Sequence, residues 1–425
     1  MNPRKAIIKI LSQAEQSSRH VDVLLHDEFN HWEESSRDKR FIQEVVLGVT
    51  RYKLYLDFVL STRYHGQLHK AEYDVLNLLR SGLYQMDFMD SVPPAVAINE
   101  TVEVSKRVAG KRVSGLINGV LRAVKRERSG IEEQIQSLPE AKRLSVKESH
   151  PEWLVKRWIQ RYGYEGAQKL CQWNNRRPNV TVRVNTIQIS VTEFKESLQS
   201  LDIAFSQSEH LPEFIELKKA QELFESDQIP SSWFAVQDVA AGLTASLIEA
   251  GEDQLLLDAC AAPGGKSTYI RQNAPDSARL IAYDSNENRL RKVDALAKQL
   301  QLTGIEIRKA DASEHDFPDA DWILLDVPCT GTGVLAKRAD SRWKKNPVDI
   351  KKLSELQYGI LENAAQSLKP EGKIVYSTCT LEPEENWGVV KKFLEQNRDF
   401  ANIKVDGTIP ESMIDDQGAD RKSVV

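Results

Sequence analysis

Cysteine is scarce in this chain, with four in 425 residues: Cys171, Cys260, Cys329 and Cys379. Four are too few for a disulfide framework and their spacing matches no zinc-ligand pattern, so a reducing compartment and no metal are expected. The eight histidines show no ligand spacing either. Long apolar runs are also missing. No stretch reaches the roughly 18 apolar residues of a bilayer span, and Lys5 and Lys9 interrupt the N-terminal segment where a signal peptide would carry its apolar core. A cytoplasmic protein with no membrane partner is expected. Positive charge is not in excess, because 57 Lys and Arg stand against 62 Asp and Glu, a net charge of -5. Nucleic-acid contact must then come from local basic patches. Internal repeats and low-complexity tracts are absent. What remains is a globular composition, 41% hydrophobic and 28% charged, over a length that suits about two to four domains.

Along the first 130 residues apolar positions recur at helical spacing, as in Ile7, Ile8, Ile10 and Leu11, then Val45, Val46 and Val49, then Val75, Leu76, Leu78, Leu79 and Leu83. This predicts an all-α domain over 1–130. Pro93-Pro94 marks a helix start. The end of this domain is basic, with Lys125 and Arg126 as candidate phosphate contacts. Residues 129–146 are polar and read as a linker. A small α+β module is expected over 145–235, with a helix across 153–173, a strand at 180–184 and a helix near 193–201. Arg183 and Asn185 within it have no explanation from composition. From 236 to 425 the pattern becomes β/α alternation, with strands expected at 255–258, 280–283, 306–309, 323–326 and 373–376 and helices near 288–300, 347–368 and 384–397. Such alternation predicts a parallel sheet with helices on both faces.

Two of the few cysteines follow strand-like runs. Cys329 lies in Asp326-Val327-Pro328-Cys329 and Cys379 in Ser377-Thr378-Cys379-Thr380. Strands of an open parallel sheet end at a shared rim where ligands sit, so both thiols should meet at one site. Burial in packing is the ordinary fate of a cysteine and is expected of Cys171. A pair at the rim points instead to covalent chemistry on an electrophilic carbon, since a thiolate is a strong nucleophile and a second thiol can handle a proton.

A third motif lies upstream, in the loop Cys260-Ala261-Ala262-Pro263-Gly264-Gly265-Lys266 that follows an apolar strand. Small residues there let the backbone approach a ligand. A P-loop would need glycine where Cys260 stands, and a dinucleotide site would need G-x-G-x-x-G. Neither pattern is met. A nucleoside without phosphates remains, with Asp284 placed to accept hydrogen bonds from ribose hydroxyls and Asp311 to meet the adenine edge. S-adenosylmethionine fits that description. Cys260 is expected to touch the cofactor through its backbone, with no role for its thiol.

With these motifs in order, the chain resembles the RNA cytosine-C5 methyltransferases of the bacterial Sun or RsmB type, which modify small-subunit ribosomal RNA. The likeness extends to the N-terminal part, where Leu78-Leu79-Arg80-Ser81-Gly82-Leu83-Tyr84-Gln85, Val92-Pro93-Pro94 with Asn99-Glu100, and Asn118-Gly119-Val120-Leu121-Arg122 are similar to a NusB-type RNA-binding domain. Arg183-Val184-Asn185 and Pro383-Glu384-Glu385-Asn386 also match the family. The resemblance implies a multidomain fold: a NusB-like helical domain, a small α+β linker module and a C-terminal α/β Rossmann-like methyltransferase domain. It implies 16S ribosomal RNA, or the assembling small subunit, as partner, cytosine 967 as target, and a monomer. Cys379 would be the nucleophile, adding to C6 of the cytosine. Cys329 would assist product release, Asp326 would contact the base edge and border the cofactor, and Lys266 would sit near the reacting centre. Such a base must leave its stack.

Other readings stay open on the residues alone: a DNA cytosine enzyme that attacks with the Pro-Cys thiol, a methyltransferase of another RNA such as tRNA, or a non-catalytic RNA-binding assembly factor. Lys337, Arg338, Arg342 and Trp343, followed by Lys344 and Lys345, form a basic, aromatic-containing stretch suited to phosphate contact and stacking. One departure from the family stands out. Members finish with a β-hairpin that closes the sheet, whereas here 403–405 offers one strand and a polar tail follows. The expectation is a sheet missing its C-terminal strand, with an exposed edge beside the strand leading to Cys379 and lowered stability.

Overall fold

The computed structural model describes residues 2–30 and 36–403. The chain forms two compact units, one from residues 1–177 with 335–346 and one from 178–334 with the residues after 346. This differs from a division at 1–130, 145–235 and 236–425, because the helix expected across 153–173 belongs to the first unit.

The first unit is helical among the described residues. Its long helices Pro3–Gln16, Ser36–Arg51, Tyr73–Phe88, Pro94–Val108 and Lys111–Arg126 each bury an apolar stripe in one core that includes Ile10, Ile42, Val45, Leu79, Leu83, Ile117 and Leu121. Pro93 caps the fourth of these and Pro94 opens it, where a missing N–H costs nothing. Arg80, buried among them, donates to both carboxylate oxygens of Asp57 at 2.6 and 2.7 Å and to Glu15 at 2.6 Å. The polar stretch 129–146 is not a linker. It forms helices Arg128–Gln136 and Glu140–Lys147 and buries Ile131, Ile135, Leu144 and Val146. The spacing of Ile131 and Ile135, one helical turn apart, outweighs the surrounding polar residues. Helix Glu152–Asn175 follows, interrupted at Gly163, whose φ of 71° is outside the helical range.

The second unit holds two sheets. A four-stranded antiparallel sheet in the order β2-β3-β1-β4 is built from β1 (Val180–Val184), β2 (Phe205–Gln207), β3 (Phe214–Leu217) and β4 (Phe234–Val236). Three of these strands have only three or four residues, too few for alternation to register in a polar stretch. The larger sheet is wholly parallel, with β5 (Leu255–Asp258), β6 (Arg279–Asp284), β7 (Ile305–Lys309), β8 (Ala320–Asp326) and β9 (Leu368–Ser377) in the order β7-β6-β5-β8-β9. Successive strand residues serve opposite faces. Leu257, Ile281, Ile323 and Leu325 enter one core while Leu256, Leu280, Leu324 and Val375 enter the other. Burial on both faces explains why these strands read as unbroken apolar runs. Among the described residues β9 is the last strand of this sheet; the expectation of a missing closing strand falls on residues after 403, outside the described ones. No described helix is long and apolar enough to cross a membrane.

Candidate active site

The direction of strand addition reverses beside β5, so the crevice between β5 and β8 lies at the switch point where open α/β sheets bind ligands. The carboxyl ends of the strands supply its residues: Asp258 on β5, Asp284 on β6, Asp326 on β8 and Ser377 on β9. Asp326 pairs in register with Ser377 and Asp284 with Lys309, which puts these groups along one rim.

Between β5 and the helix Gly265–Asn273 the loop 259–264 turns sharply. Gly264 adopts a φ of 107°, and a Cβ there would lie 2.9 Å from the backbone of Val293. Only glycine is unstrained at such a position. Arg289, the third residue of helix Glu287–Gln299, donates to Ala262 O at 2.6 Å from the other side. The two residues of β1 that composition left unexplained also act here. Arg183 donates to Gly265 O at 2.9 Å, Gln237 Oε1 at 2.6 Å and Thr268 Oγ1 at 3.1 Å, with its guanidinium over the ring of Tyr269. Burial pulls Arg183 down to about 10. Asn185 donates to Leu300 O at 2.9 Å. Arg183 thus fastens the small sheet to the helix that follows the loop, and Asn185 ties it to the end of helix Glu287–Gln299.

Three acids face the question of a cofactor. Asp258 is buried; its Oδ2 accepts from Ser267 at 2.6 Å and its Oδ1 has no protein partner. Burial lifts its carboxyl to about 7, the nearby Asp326 adding to the effect. Asp284 accepts from the Asn286 backbone at 2.9 Å and lies 3.5 Å from Arg289. Asp311 is exposed and accepts from Ser313 Oγ at 2.6 Å and Ser313 N at 3.0 Å, and the hydroxyl bond holds it below the usual carboxylate range. A cradle that a Cβ would fill, an acid at the end of the neighbouring strand and an orphaned buried carboxylate oxygen fit a nucleoside with an amino-acid tail. Burial pushes the Cys260 thiol far above its ordinary value, so it stays protonated.

The two thiols meet. Cys329 Sγ lies 3.2 Å from Cys379 Sγ and accepts from the Cys379 backbone N–H at 3.3 Å. Beside them Lys266 Nζ donates to Asp326 Oδ2 at 2.6 Å, and Ser377 Oγ donates to Asp326 Oδ1 at 2.9 Å. The Asp326 anion outweighs burial and keeps Lys266 charged, with its pKa raised. The Cys329 thiol is pushed well above its ordinary value, first by its hydrogen bond to Cys379 and then by burial. Gly331 turns the Pro-Cys loop with a φ of 68°, and a side chain there would meet Cys379 Sγ. The two thiols, the lysine and the carboxylate therefore share one corner of the rim.

Probable ribosomal RNA small subunit methyltransferase B of Bacillus subtilis is 30% identical to this chain over 96% of it and 92% of the relative. Ribosomal RNA small subunit methyltransferase B of Vibrio cholerae is 34% identical over 88% and 85%. The family model for 16S rRNA methyltransferase RsmB/F matches residues 245–421, that of the NusB family residues 1–126, and a ferredoxin-like domain of RsmF/B-like methyltransferases residues 150–223. The chain belongs to the RsmB/F family. A methyltransferase homolog protein from Pyrococcus horikoshii has a similar fold, with a TM-score of 0.54 and 26% identity over 61% of this chain and 83% of the other.

For an RsmB/F protein the basic stretch after the Pro-Cys loop behaves unexpectedly. Arg342 is 2% exposed and belongs to the first unit, where it donates to Ser149 O at 3.1 Å, Asn174 O at 3.0 Å and Asn175 Oδ1 at 2.9 Å. Burial draws it down to about 9. Trp343 commits its indole N–H to Thr50 O at 2.7 Å, and Lys344 reaches Arg19 O at 2.6 Å. The expected RNA contact by Arg342 is corrected: it has no surface to offer, and Trp343 and Lys344 anchor the same segment. Lys337 and Arg338 are exposed, as are Lys125 and Arg126 on helix Lys111–Arg126. Cys171 is buried, which raises its thiol to about 12. No group of three or more metal-ligating side chains occurs among the described residues. Sequence reasoning missed Asp258, Arg289, Gln237 and Thr330; of these, only Asp258 carried a signal, as the acid closing the strand before the loop.

Proposed function

We propose that this protein methylates C5 of a cytosine in 16S ribosomal RNA, with position 967 as the target, through a transient bond between Cys379 and the base. The observation that carries the reading is the 3.2 Å approach of the two sulfurs beside the Lys266–Asp326 pair. Loop 259–265 would hold S-adenosylmethionine against the backbone, Asp284 the ribose, Asp311 the adenine edge and Asp258 the amino-acid end. Bound there, the sulfonium supplies an electrophilic methyl group.

Cytosine C5 is a poor nucleophile until C6 is attacked. Cys379, as thiolate, adds to C6, and the ring double-bond electrons shift onto C5, which then takes the methyl. Asp326, held by Lys266 and Ser377, meets the N3–N4 edge and stabilises the charge that develops there. Cys329 assists passage of the C5 proton to solvent; as that C–H bond breaks, its electrons re-form the C5–C6 double bond and Cys379 leaves as thiolate, so both sulfurs return to their starting states and each turnover releases one proton. Attack from the opposite side of the ring from the methyl requires the target base to be extruded.

Replacing Cys329 by Ala is expected to accumulate a covalent protein–RNA adduct that survives a denaturing gel, whereas Cys379→Ala should form none and transfer no methyl group. The reverse pattern would assign the attack to Cys329. Bisulfite mapping of ribosomal RNA from cells lacking the protein should show loss of methylation at the proposed cytosine and at no other.

A further inference from the structure

The segment Pro383-Glu384-Glu385-Asn386 has no part in the chemistry described above, yet it contains a fully buried acid. Glu385 lies on a 3-10 turn, Pro383–Glu385, just after the Cys379 loop. Among the described residues no lysine or arginine forms an ion pair with it; instead four donors converge on its carboxylate. Thr330 gives its backbone N–H at 2.8 Å to Oε1 and its hydroxyl to Oε2, Thr380 gives its hydroxyl at 2.9 Å to Oε2, and Gln357 gives Nε2–H at 3.1 Å to Oε1. Thr330 is the residue after Cys329, and Thr380 the residue after Cys379. Gln357 also donates to Pro328 O at 2.8 Å, and the Glu385 backbone carbonyl accepts from Tyr376 at 2.8 Å. A carboxylate offers four lone-pair sites and no proton, which matches four inward donors; an amide of the same shape can accept only half of them.

We infer that Glu385 is a positioning residue for the thiol pair, fastening the loop that carries Cys329 to the loop that carries Cys379 and so fixing the distance between the sulfurs. The inference rests on the reaction proposed for these thiols and extends it by assigning what holds them together. The buried charge also separates the roles of the two sulfurs. Glu385 adds to the effects that keep the proton on Cys329, behind the Cys379 hydrogen bond and burial. The Lys266 ammonium interacts with Cys379 instead. Negative charge behind one sulfur and positive charge near the other accord with Cys379 as the attacking group and Cys329 as the proton carrier. The buried Tyr376 hydroxyl, pushed up by burial and then by Cys329 and Glu385, also faces the pair.

The test uses the full chain without RNA or methyl donor. Wild type, Glu385→Gln and Thr330→Val proteins are treated briefly with iodoacetamide at neutral pH, and the label at Cys329 and Cys379 is counted by peptide mass spectrometry. Wild type should label Cys379 in preference to Cys329. In Glu385→Gln, with unfolding midpoint near that of wild type, Cys329 should gain label and that preference should fall severalfold. A folded Glu385→Gln protein with the wild-type ratio would overturn the proposal, as would wild type labelling both sulfurs equally. If Glu385→Gln does not fold, Thr330→Val, which keeps the backbone N–H contact, gives the same readout: a smaller shift in the same direction supports the role and an unchanged ratio refutes it. Since no RNA enters the assay, a shifted ratio in a protein that methylates no RNA would sink the proposed reaction and leave the positioning role standing.

Discussion

Asp258 shows how one buried atom couples the site to pH. Burial raises its carboxyl to about 7, so between roughly pH 4 and pH 7 the folded chain keeps a proton that the unfolded chain has released. The sign follows. Its contribution to stability is complete at the acid end and is lost as pH rises through about 7. Asp258→Asn cannot ionise, so its unfolding free energy relative to wild type should increase by a few kcal/mol from about pH 4 to pH 8, measured by denaturant titration of the chain without cofactor. A difference that stays flat across that range would show that Asp258 titrates normally. At this scale the sequence was readable where chemistry demands a residue type: the two thiols, Lys266, Asp326 and the loop glycine all carry motif signals. Glu385 stood in a segment that resembles the family, but its meeting with Thr330 and Gln357, like that of Arg289 with Ala262, joins residues tens of positions apart, and no local pattern encodes the role.

At the scale of elements, parallel strands were legible because burial on both faces makes them apolar throughout, and β5 was expected over the residues it occupies. The strands β2 and β3 were hidden by their length. The helices over 128–147 were hidden by composition, although their buried isoleucines kept helical spacing. The segment 335–346 misled for a physical reason: a guanidinium that serves backbone carbonyls in a core has the same sequence signature as one that serves phosphates. Arg342→Met should leave the acceptors at Ser149, Asn174 and Asn175 unpaired and destabilise the first unit by about 2–5 kcal/mol. Amide hydrogen exchange would locate the effect, with faster exchange expected in helices Ser36–Arg51 and Glu152–Asn175 and no change in β5 to β8.

Over the whole molecule, a net charge of -5 leaves RNA affinity to clusters, and the exposed end of helix Lys111–Arg126 is one, as are the exposed Lys337 and Arg338. Replacing Lys125 and Arg126 together by Ala should weaken binding to ribosomal RNA and lower the slope of log affinity against log salt by about 1 to 2, read by fluorescence anisotropy across a salt series. An unchanged slope would remove both residues from the interface. The order of helical domain, small sheet and parallel sheet could be read from periodicity, whereas the boundary at 177 could not, since helix Glu152–Asn175 looks the same from either side.

The segment 335–346 also decides what happens if the chain is divided. A polypeptide starting at Pro178 would inherit Arg342 and Trp343 without the carbonyls they were folded to meet, and one stopping at Arg177 would be left with those carbonyls and nothing to satisfy them. Neither half is a clean module, so gene fusions or swaps that treat this chain as two beads on a string should yield poorly behaved proteins unless the twelve-residue excursion travels with its first-unit hosts.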